Sequence, residues 1–440
     1  MSKEMINLCE FVLKTAKEAG ADDCGVGISK SRFVEVQYRE HKPETVKEAT
    51  TQGIGIDIYV NSRYSSQSSS DLRKDALKSF VYNVVETAKL LEEDPYRSLP
   101  DPKYFEGRKD IDLQILDPEY KKITPELRHS MAKELEESCL EAGGEKAISV
   151  TSQVYDSFNE ETILSSNGFK GETKSTTCFA YAEMTAQDEG DRRPNGYHYA
   201  VNRALNKLPS CKEIGKQTAA RTMKLMGGKK LKTETFPIII ENRNVGRILN
   251  GFVSAMRGFA LQQKRSFLLD KKGEKLGSDV FTLIDDPFII GGLGSRLYDG
   301  DGFATKKRSM VEKGVLKEFY IDWYRSRKLE VEPTTGGTSN LVIPPGKRSV
   351  AEIMKDLGRG ILINGFLGGN SNSNTGDFSI GITGILFENG EPTQAVAEMN
   401  MADNHMEFWK KLAEAANDPW TNSSWRMPSL VFNDVVVAGV

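Results

Sequence analysis

The sequence predicts an α+β protein: an N-terminal half of helix plus antiparallel meander units, the unit occurring twice, and a C-terminal half that is one large, mostly antiparallel β domain with few helices. Three observations carry this. The order helix, glycine stop, run of β-type segments appears twice before residue 228. Asn389-Gly390 stands between Phe378–Phe387 (FSIGITGILF) and Thr393–Met399 (TQAVAEM), and Asn-Gly between β-favouring runs is the strongest short-range hairpin signal. The chain also closes on the valine-rich Ser429–Val440. At 440 residues it exceeds what one core usually organises, so two or three domains are expected. Lys229, Lys230 and Lys232 precede a new apolar strand and set the main boundary, giving domains 1–228 (subdomains about 1–100 and 110–228) and 229–440.

Met5, Leu8, Cys9, Val12, Leu13, Ala16 and Ala19 follow helical spacing, with Gly20 at the C-cap position. Short strands are expected at 24–28, 33–38 and 53–60, the last with alternating isoleucines. Asp71 is expected to open a second helix behind an acidic cap, and prolines at 95, 100 and 102 mark a linker or extended excursion. The second unit repeats this order. Thr124-Pro125 begins a helix that stops at Gly143-Gly144, and strands are expected at 147–155, 161–165 and 176–185. A helix then spans 209–226.

In the second half, Phe236–Ile240 has a buried-strand composition and Asn244–Met256 an apolar helical face. A strand ends at Asp285-Asp286-Pro287, and a turn at Gly314 leads through a strand into a helix. Ser349–Leu357 is helical, and Asp403 and Asn404 cap a last helix expected to reach Ala416. Gly368–Gly376 is nine residues without a hydrophobe, a loop that presents backbone amides rather than side chains.

Composition narrows the function classes. With 59 basic against 62 acidic residues and a net charge of -3, no global basic field exists for direct nucleic-acid contact. Charges interrupt the first twenty residues, which excludes the apolar core of a signal peptide, and no stretch approaches the roughly 20 apolar residues of a membrane span. Cys9, Cys24, Cys139, Cys178 and Cys211 lack CxxC spacing, as expected for reduced thiols in cytoplasm. His41, His129, His198 and His405 are far apart, so no two share a helical turn as a zinc peptidase helix requires. No GxSxG elbow, phosphate loop or complete dinucleotide fingerprint occurs. Asp299-Gly300-Asp301-Gly302 reads as a tight turn, because Met310 stands where a calcium loop needs its glutamate. Glu241, Asp285 and Asp286 could gather, although solvated strand ends are the ordinary reading.

The stretches GIGIDIYV, SSSDLRKDALKSFV and EDPYRSLPDP in the first half resemble the TldD/PmbA family. So do SFLLDKKGEKLGSDVFTLIDDP, GVLKEFYIDWYRSRKL, GGTSNLVIPPG and TGDFSIGITGILFENGEPTQAVAEMNMADN in the second. The resemblance covers nearly the whole chain. Its members were named as modulators of DNA gyrase and are regarded as parts of a metalloprotease. It implies two subunit types, a TldD type with an HExxxH helix and a PmbA or TldE type without one.

Aligned on the helix 244–256, the HExxxH positions fall on Leu249, Asn250 and Ser254, none of which can serve as the histidine or glutamate it replaces. The TldD type also carries a C-terminal cysteine ligand, where this chain has Ser423-Ser424-Trp425-Arg426. No metal or other cofactor is therefore expected here, and zinc is expected only in a TldD-like partner. The resemblance implies a TldE/PmbA-like non-catalytic subunit of a cytoplasmic metalloprotease, acting on peptides or unfolded proteins with an HExxxH subunit, or with itself as a homodimer through the valine-rich strand. Gly336, Gly337 and Asn340, with Gly368, Gly369 and Gly376, are the expected peptide-binding backbone. A regulatory, gyrase-modulating protein without a proteolytic role, and an independent peptidase with an unrecognised site, are the alternatives.

Overall fold

In the computed structural model, which describes residues 3–440 and is 27% helix and 38% strand, the first half uses one element order twice. Helix α1 (Lys3–Glu18), strands β1 (Asp23–Arg39), β2 (Lys42–Val60) and β3 (Arg63–Ser69), and helix α2 (Lys74–Lys89) make the first set. Helix α3 (Pro125–Gly143), strands β4 (Ala147–Ser165), β5 (Lys170–Ala186) and β6 (Asn195–Asn202), and helix α4 (Cys211–Met223) make the second. The sets share a sheet. Strand β1 pairs antiparallel with β4, giving six strands in the order β3-β2-β1-β4-β5-β6.

The strands are longer than expected. The runs at 24–28 and 33–38 merge into β1, and those at 147–155 and 161–165 into β4. Neither intervening segment contains glycine or proline, and pairing on both sides of β1 and β4 holds the polar bridges extended. Cys24, Val26, Ile28, Val34, Val36 and Tyr38 alternate onto one buried face. Helices α1 and α2 cover its early part, and α3 and α4 the later part. Gly20 ends α1 as expected, with φ of 93° and the Ala21 amide donating back to the Ala16 carbonyl at 3.0 Å. The Thr124 hydroxyl caps α3 by accepting from the Leu127 amide at 3.2 Å.

One expectation needs correction here. Asp71 does not cap α2, which begins at Lys74; its carboxylate instead accepts from the Arg73 guanidinium at 2.9 Å. Of the two readings of the proline-rich segment, a linker or an extended excursion, the structure has the second. Tyr324 donates to Asp94 at 2.6 Å, the Trp323 indole donates to Ser98 at 3.1 Å, and the Arg97 guanidinium lies 3.7 Å from the Tyr324 ring centre. It is a strap fastened to the second half.

That half opens with β7 (Glu234–Ile240), α5 (Asn242–Ala255) and the short α6 (Gly258–Gln262). Strands β8 (Leu283–Asp285), β9 (Arg308–Glu312) and β10 (Val315–Leu316), helix α7 (Trp323–Leu329) and strand β11 (Leu341–Val342) follow. Next come α8 (Val350–Leu357), β12 (Arg359–Ser371), β13 (Asp377–Glu388), β14 (Glu391–Asn404) and α9 (His405–Phe408). The chain finishes with β15 (Leu412–Ala415), β16 (Trp425–Arg426) and β17 (Leu430–Ala438). Six of these strands form a sheet in the order β14-β13-β12-β7-β17-β15, curled so that β14 also meets β17, and β8 to β11 with β16 form a smaller one. Most pairs are antiparallel; β7 with β12 and β11 with β16 are parallel.

The hairpin at Asn389-Gly390 is present, its two central residues at φ of 52° and 79°. Gly368–Ser371, expected in a loop, belong to β12, and only 372–376 turn back to β13. The last helix does not reach Ala416: it stops at Phe408, a single tight turn follows, and Leu412–Ala415 pair with β17. Phe408 stacks on Phe432 at 4.2 Å and Trp409 on Phe281 at 4.3 Å, which fixes the turn against the core and frees the next residues for the sheet. The valine-rich strand lies inside the sheet, with β7 on one side and on the other β15 at Leu430–Phe432 and β14 at Val437 and Ala438, so it is not an edge strand open for self-association.

All five cysteines are buried and unpaired, and burial pushes each thiol up to about 12. One buried ion pair sits between helix and sheet: Arg128 of α3 donates to both oxygens of Asp156 of β4, at 2.5 and 2.9 Å. Replacing Asp156 with alanine strands a guanidinium in the core, and a loss of about 3–5 kcal/mol is expected in urea unfolding of D156A.

Candidate functional site

A single residue, Glu241, separates helix α5 from a strand buried to its end, so the helix's orientation is set by that strand. Val245, Ile248, Leu249, Phe252 and Val253 are buried against the core that also holds Ile238 and Ile240. The opposite side carries Arg243, Gly246, Arg247 and Asn250, and it looks into a cleft. Between β7 and α5, Glu241 accepts from both terminal nitrogens of Arg221 on α4, at 2.6 and 2.7 Å. Burial opposes the Arg221 charge, but the bonds and field of Glu241 together outweigh it and raise its pKa.

Two cavities meet at this helix. One, of about 440 Å³, is lined by Arg221, Lys224, Arg243 and Arg247 at one side and by Leu362 and Phe366 of β12 at the other. The second, of about 420 Å³, shares Arg243 and Arg247 and extends past Asn250 to Ser423, Ser424 and Trp425. Arg243 is held in an aromatic frame, with its guanidinium carbon 4.5 Å from the Tyr197 ring centre, 5.3 Å from Tyr199 and 5.4 Å from Trp420. Burial, and then the neighbouring Arg221 charge, lower its pKa.

Of the aligned motif positions, only Asn250 opens into this space. Leu249 is fully buried in the core, and Ser254, one turn beyond Asn250, does not line the cavity. Ser423 and Ser424 do line it, opposite Asn250. A zinc ion does not fit this donor set. The lining offers two amides, Asn242 and Asn250, and three hydroxyls, Tyr199, Ser423 and Ser424, beside two guanidinium groups, and among the described residues no three His, Cys, Asp or Glu side chains lie close enough to share a metal.

The expected peptide-contact residues are divided. Gly368 sits at the cleft rim, its carbonyl accepting from Arg247 at 3.3 Å. Gly369 and Gly376 are packed, an added Cβ meeting Ser379 and Ile380 at the first and Asn404 and Phe267 at the second. Gly336, Gly337 and Asn340 lie elsewhere. The Gly336 amide donates to Asp299 at 3.2 Å, Gly337 accepts from Arg296 at 2.6 Å and has open space where a Cβ would stand, and Asn340 is buried and bonded to Gly294, Ser295 and Asp286.

The acidic residues do not gather. Glu241 is held by Arg221, Asp286 by Lys307 at 2.8 Å, and Asp285, far from solvated, is buried against Ser339 and Arg308. Asp299–Gly302 is the expected tight turn, closed by the Gly302 amide donating to the Asp299 carbonyl at 3.0 Å. Burial, and then the Asp299 charge, push Asp301 up to about 7.

Sequence reasoning missed the arginine frame and His405. The signals were Arg243 and Arg247 one turn apart on the polar face of α5, and Tyr197 and Tyr199 on one side of β6. The His405 ring is buried between α5 and the β12–β13 hairpin, where Gly251 alone leaves it room. The Trp409 indole donates to its Nδ1 at 3.3 Å, so Nε2 carries the proton and donates to Ser371 Oγ at 3.1 Å.

The architecture is that of a metallopeptidase family. The model of the PmbA/TldA metallopeptidase central domain matches residues 118–226, and that of the C-terminal domain matches 233–439. The chain belongs to the PmbA/TldD family. The Escherichia coli O157:H7 protein named metalloprotease PmbA is 28% identical over 443 residues, covering 98% of this chain and 96% of its own. A crystal structure of a proposed modulator of DNA gyrase from Bacteroides thetaiotaomicron is 37% identical, with a TM-score of 0.97 and full coverage of both chains. The structure of TldE from Thermococcus kodakarensis shares the fold at 22% identity, with a TM-score of 0.89 over 98% of this chain and 100% of its own.

Burial drives the His405 pKa down to about 4 from its ordinary 6.5. In that interval the unfolded chain binds the proton and the folded chain does not, so stability is full above the upper value and falls on acidification toward the lower. His405→Gln removes this dependence, and between about pH 7 and about pH 4.5 the variant is expected to lose less urea stability than the native chain.

Proposed function

We propose that this chain is the non-catalytic, peptide-holding subunit of a two-subunit metallopeptidase that acts on peptides or unfolded proteins in the cytoplasm, with an HExxxH-bearing relative as its partner. The observation that carries the reading is the cleft-facing side of α5. In a metallopeptidase family, this helix turns Arg243, Gly246, Arg247 and Asn250 toward the cleft and no group able to bind zinc. A second feature fits a peptide. Strand β7 pairs with β12 only over Ile361–Ile363, so β12 is paired on one side alone from Asn364 onward, beside the cleft. Such an edge can take an extended backbone through main-chain groups, with little regard to sequence. On the proposed division into domains 1–228 and 229–440, the first domain contributes Tyr197, Arg221 and Lys224 to the cleft and the second contributes α5 and β12, and five buried thiols suit a reducing compartment.

Mechanistically, this chain's part is binding and orientation. Its edge strand and cationic cleft hold and align the substrate; a metal held by the HExxxH residues of the partner would supply water-activating chemistry. A second copy of this chain would supply no further donors.

The purified chain is expected to bind no stoichiometric zinc and to leave an unstructured peptide intact; mixing it with an HExxxH subunit should start chelator-sensitive hydrolysis. Zinc-dependent cleavage by the lone chain would overturn the proposal. The stretch around Gly337 has its own test, because a side chain fits there without a clash. Gly337→Val should fold normally and capture peptide more weakly, and unchanged capture removes that stretch from the contact surface.

A further inference from the structure

Within the larger cavity, four cationic side chains, Arg221, Lys224, Arg243 and Arg247, face a single carboxylate, Glu241. Glu241 is already engaged by Arg221, and by the Asn244 amide group at 3.1 Å. No carboxylate forms an ion pair with Arg243, Arg247 or Lys224 among the described residues. Arg243 donates one terminal nitrogen to the Tyr197 carbonyl at 3.2 Å, while its other terminal nitrogen, Nη2, is buried with no hydrogen-bond partner. A desolvated guanidinium with an unfilled donor is an unfavourable arrangement unless an anion completes it.

The helix start itself is not the attraction. The Asn242, Arg243 and Asn244 amides are already bonded, to Ser429, the Asn242 side chain and the Glu241 carbonyl. The opposite wall is mainly apolar, with Leu362, Phe366 and Ile385 of β12 and β13 around Asn364 and Thr383, and it continues into the one-sided edge of β12. A small inorganic anion would leave that wall wet; an anion at the end of an extended chain would cover it.

We propose that this cavity receives the terminal α-carboxylate of a bound peptide, with Arg243 and Arg247 as its hydrogen-bond donors and the β12 wall accepting an apolar last side chain. The proposal rests on the peptide-holding reading above and adds an end-specific anchor to it. Arg243 is the fixed member, clamped by Tyr197, Tyr199 and Trp420, and Arg247 is the mobile one, because its single bond is to the Gly368 carbonyl at 3.3 Å.

The test uses the full chain and an N-acetylated peptide ending in leucine, as the free acid and as the C-terminal amide, with binding followed by calorimetry and by fluorescence of Trp420 beside Arg243. The amide is expected to bind about ten- to a hundredfold more weakly than the acid, the range set by losing charged hydrogen bonds. Arg243→Gln and Arg247→Gln should each weaken the acid and shrink the difference between acid and amide; Arg243→Lys, which keeps the charge, checks folding and should retain part of the preference. Equal binding of acid and amide overturns the carboxylate anchor while leaving peptide holding intact. Binding of neither peptide overturns both. Displacement of the acid by equimolar inorganic phosphate would show a general anion site and also overturn the anchor.

Discussion

Burial of Ile238-Ile239-Ile240 on both faces of β7 is the constraint from which the second half follows. Ile238 and Ile240 enter the main core, Ile239 points to the smaller core under α8, and all three are fully buried. A strand apolar on both sides has to sit inside a sheet, and β7 lies between a parallel β12 and an antiparallel β17. Because α5 begins within two residues of Ile240, its apolar stripe has one place to go. Its cationic stripe must then face the first half of the molecule, where Arg221 and the tyrosines of β6 meet it.

The two halves are joined by directional contacts as well as by chain continuity. Arg221 with Glu241, Asn422 with the Val201 amide at 3.0 Å, Asp94 with Tyr324 and Tyr104 stacked on Phe303 at 4.7 Å span the boundary from both ends. Where the halves meet, the cleft is thus bounded by Arg221 and Glu241 in a two-point hydrogen-bonded pair and by Arg243 in its aromatic frame. That matters for a site whose proposed ligand has few distinguishing features beyond a backbone and a charged end.

Local chemistry made much of the fold legible. Asn389-Gly390 could be read as a hairpin because its two positive φ angles are a property of those two residues, and Thr124-Pro125 could be read as a helix start for similar reasons. Where neighbours in space decide, the reading stopped short. Nothing local shows that Ser29–Arg32 would be kept extended by β2 and β4, or that Leu412–Ala415 would leave a helical pattern to pair with β17. The residue types at the aligned motif positions, Leu249, Asn250 and Ser254, could be read directly. The arginine frame could not, because Tyr197, Arg243 and Trp420 come from three distant stretches and only packing makes them one environment.

The five sequestered cysteines have a practical consequence. With every native thiol buried and its ionisation displaced far above neutrality, a single cysteine introduced at the exposed rim of the cleft would be the fast-reacting thiol in the molecule. A fluorophore, spin label or crosslinker could be attached there without first replacing any of the native five. Binding of a peptide or of the proposed partner could then be followed on an otherwise unaltered chain.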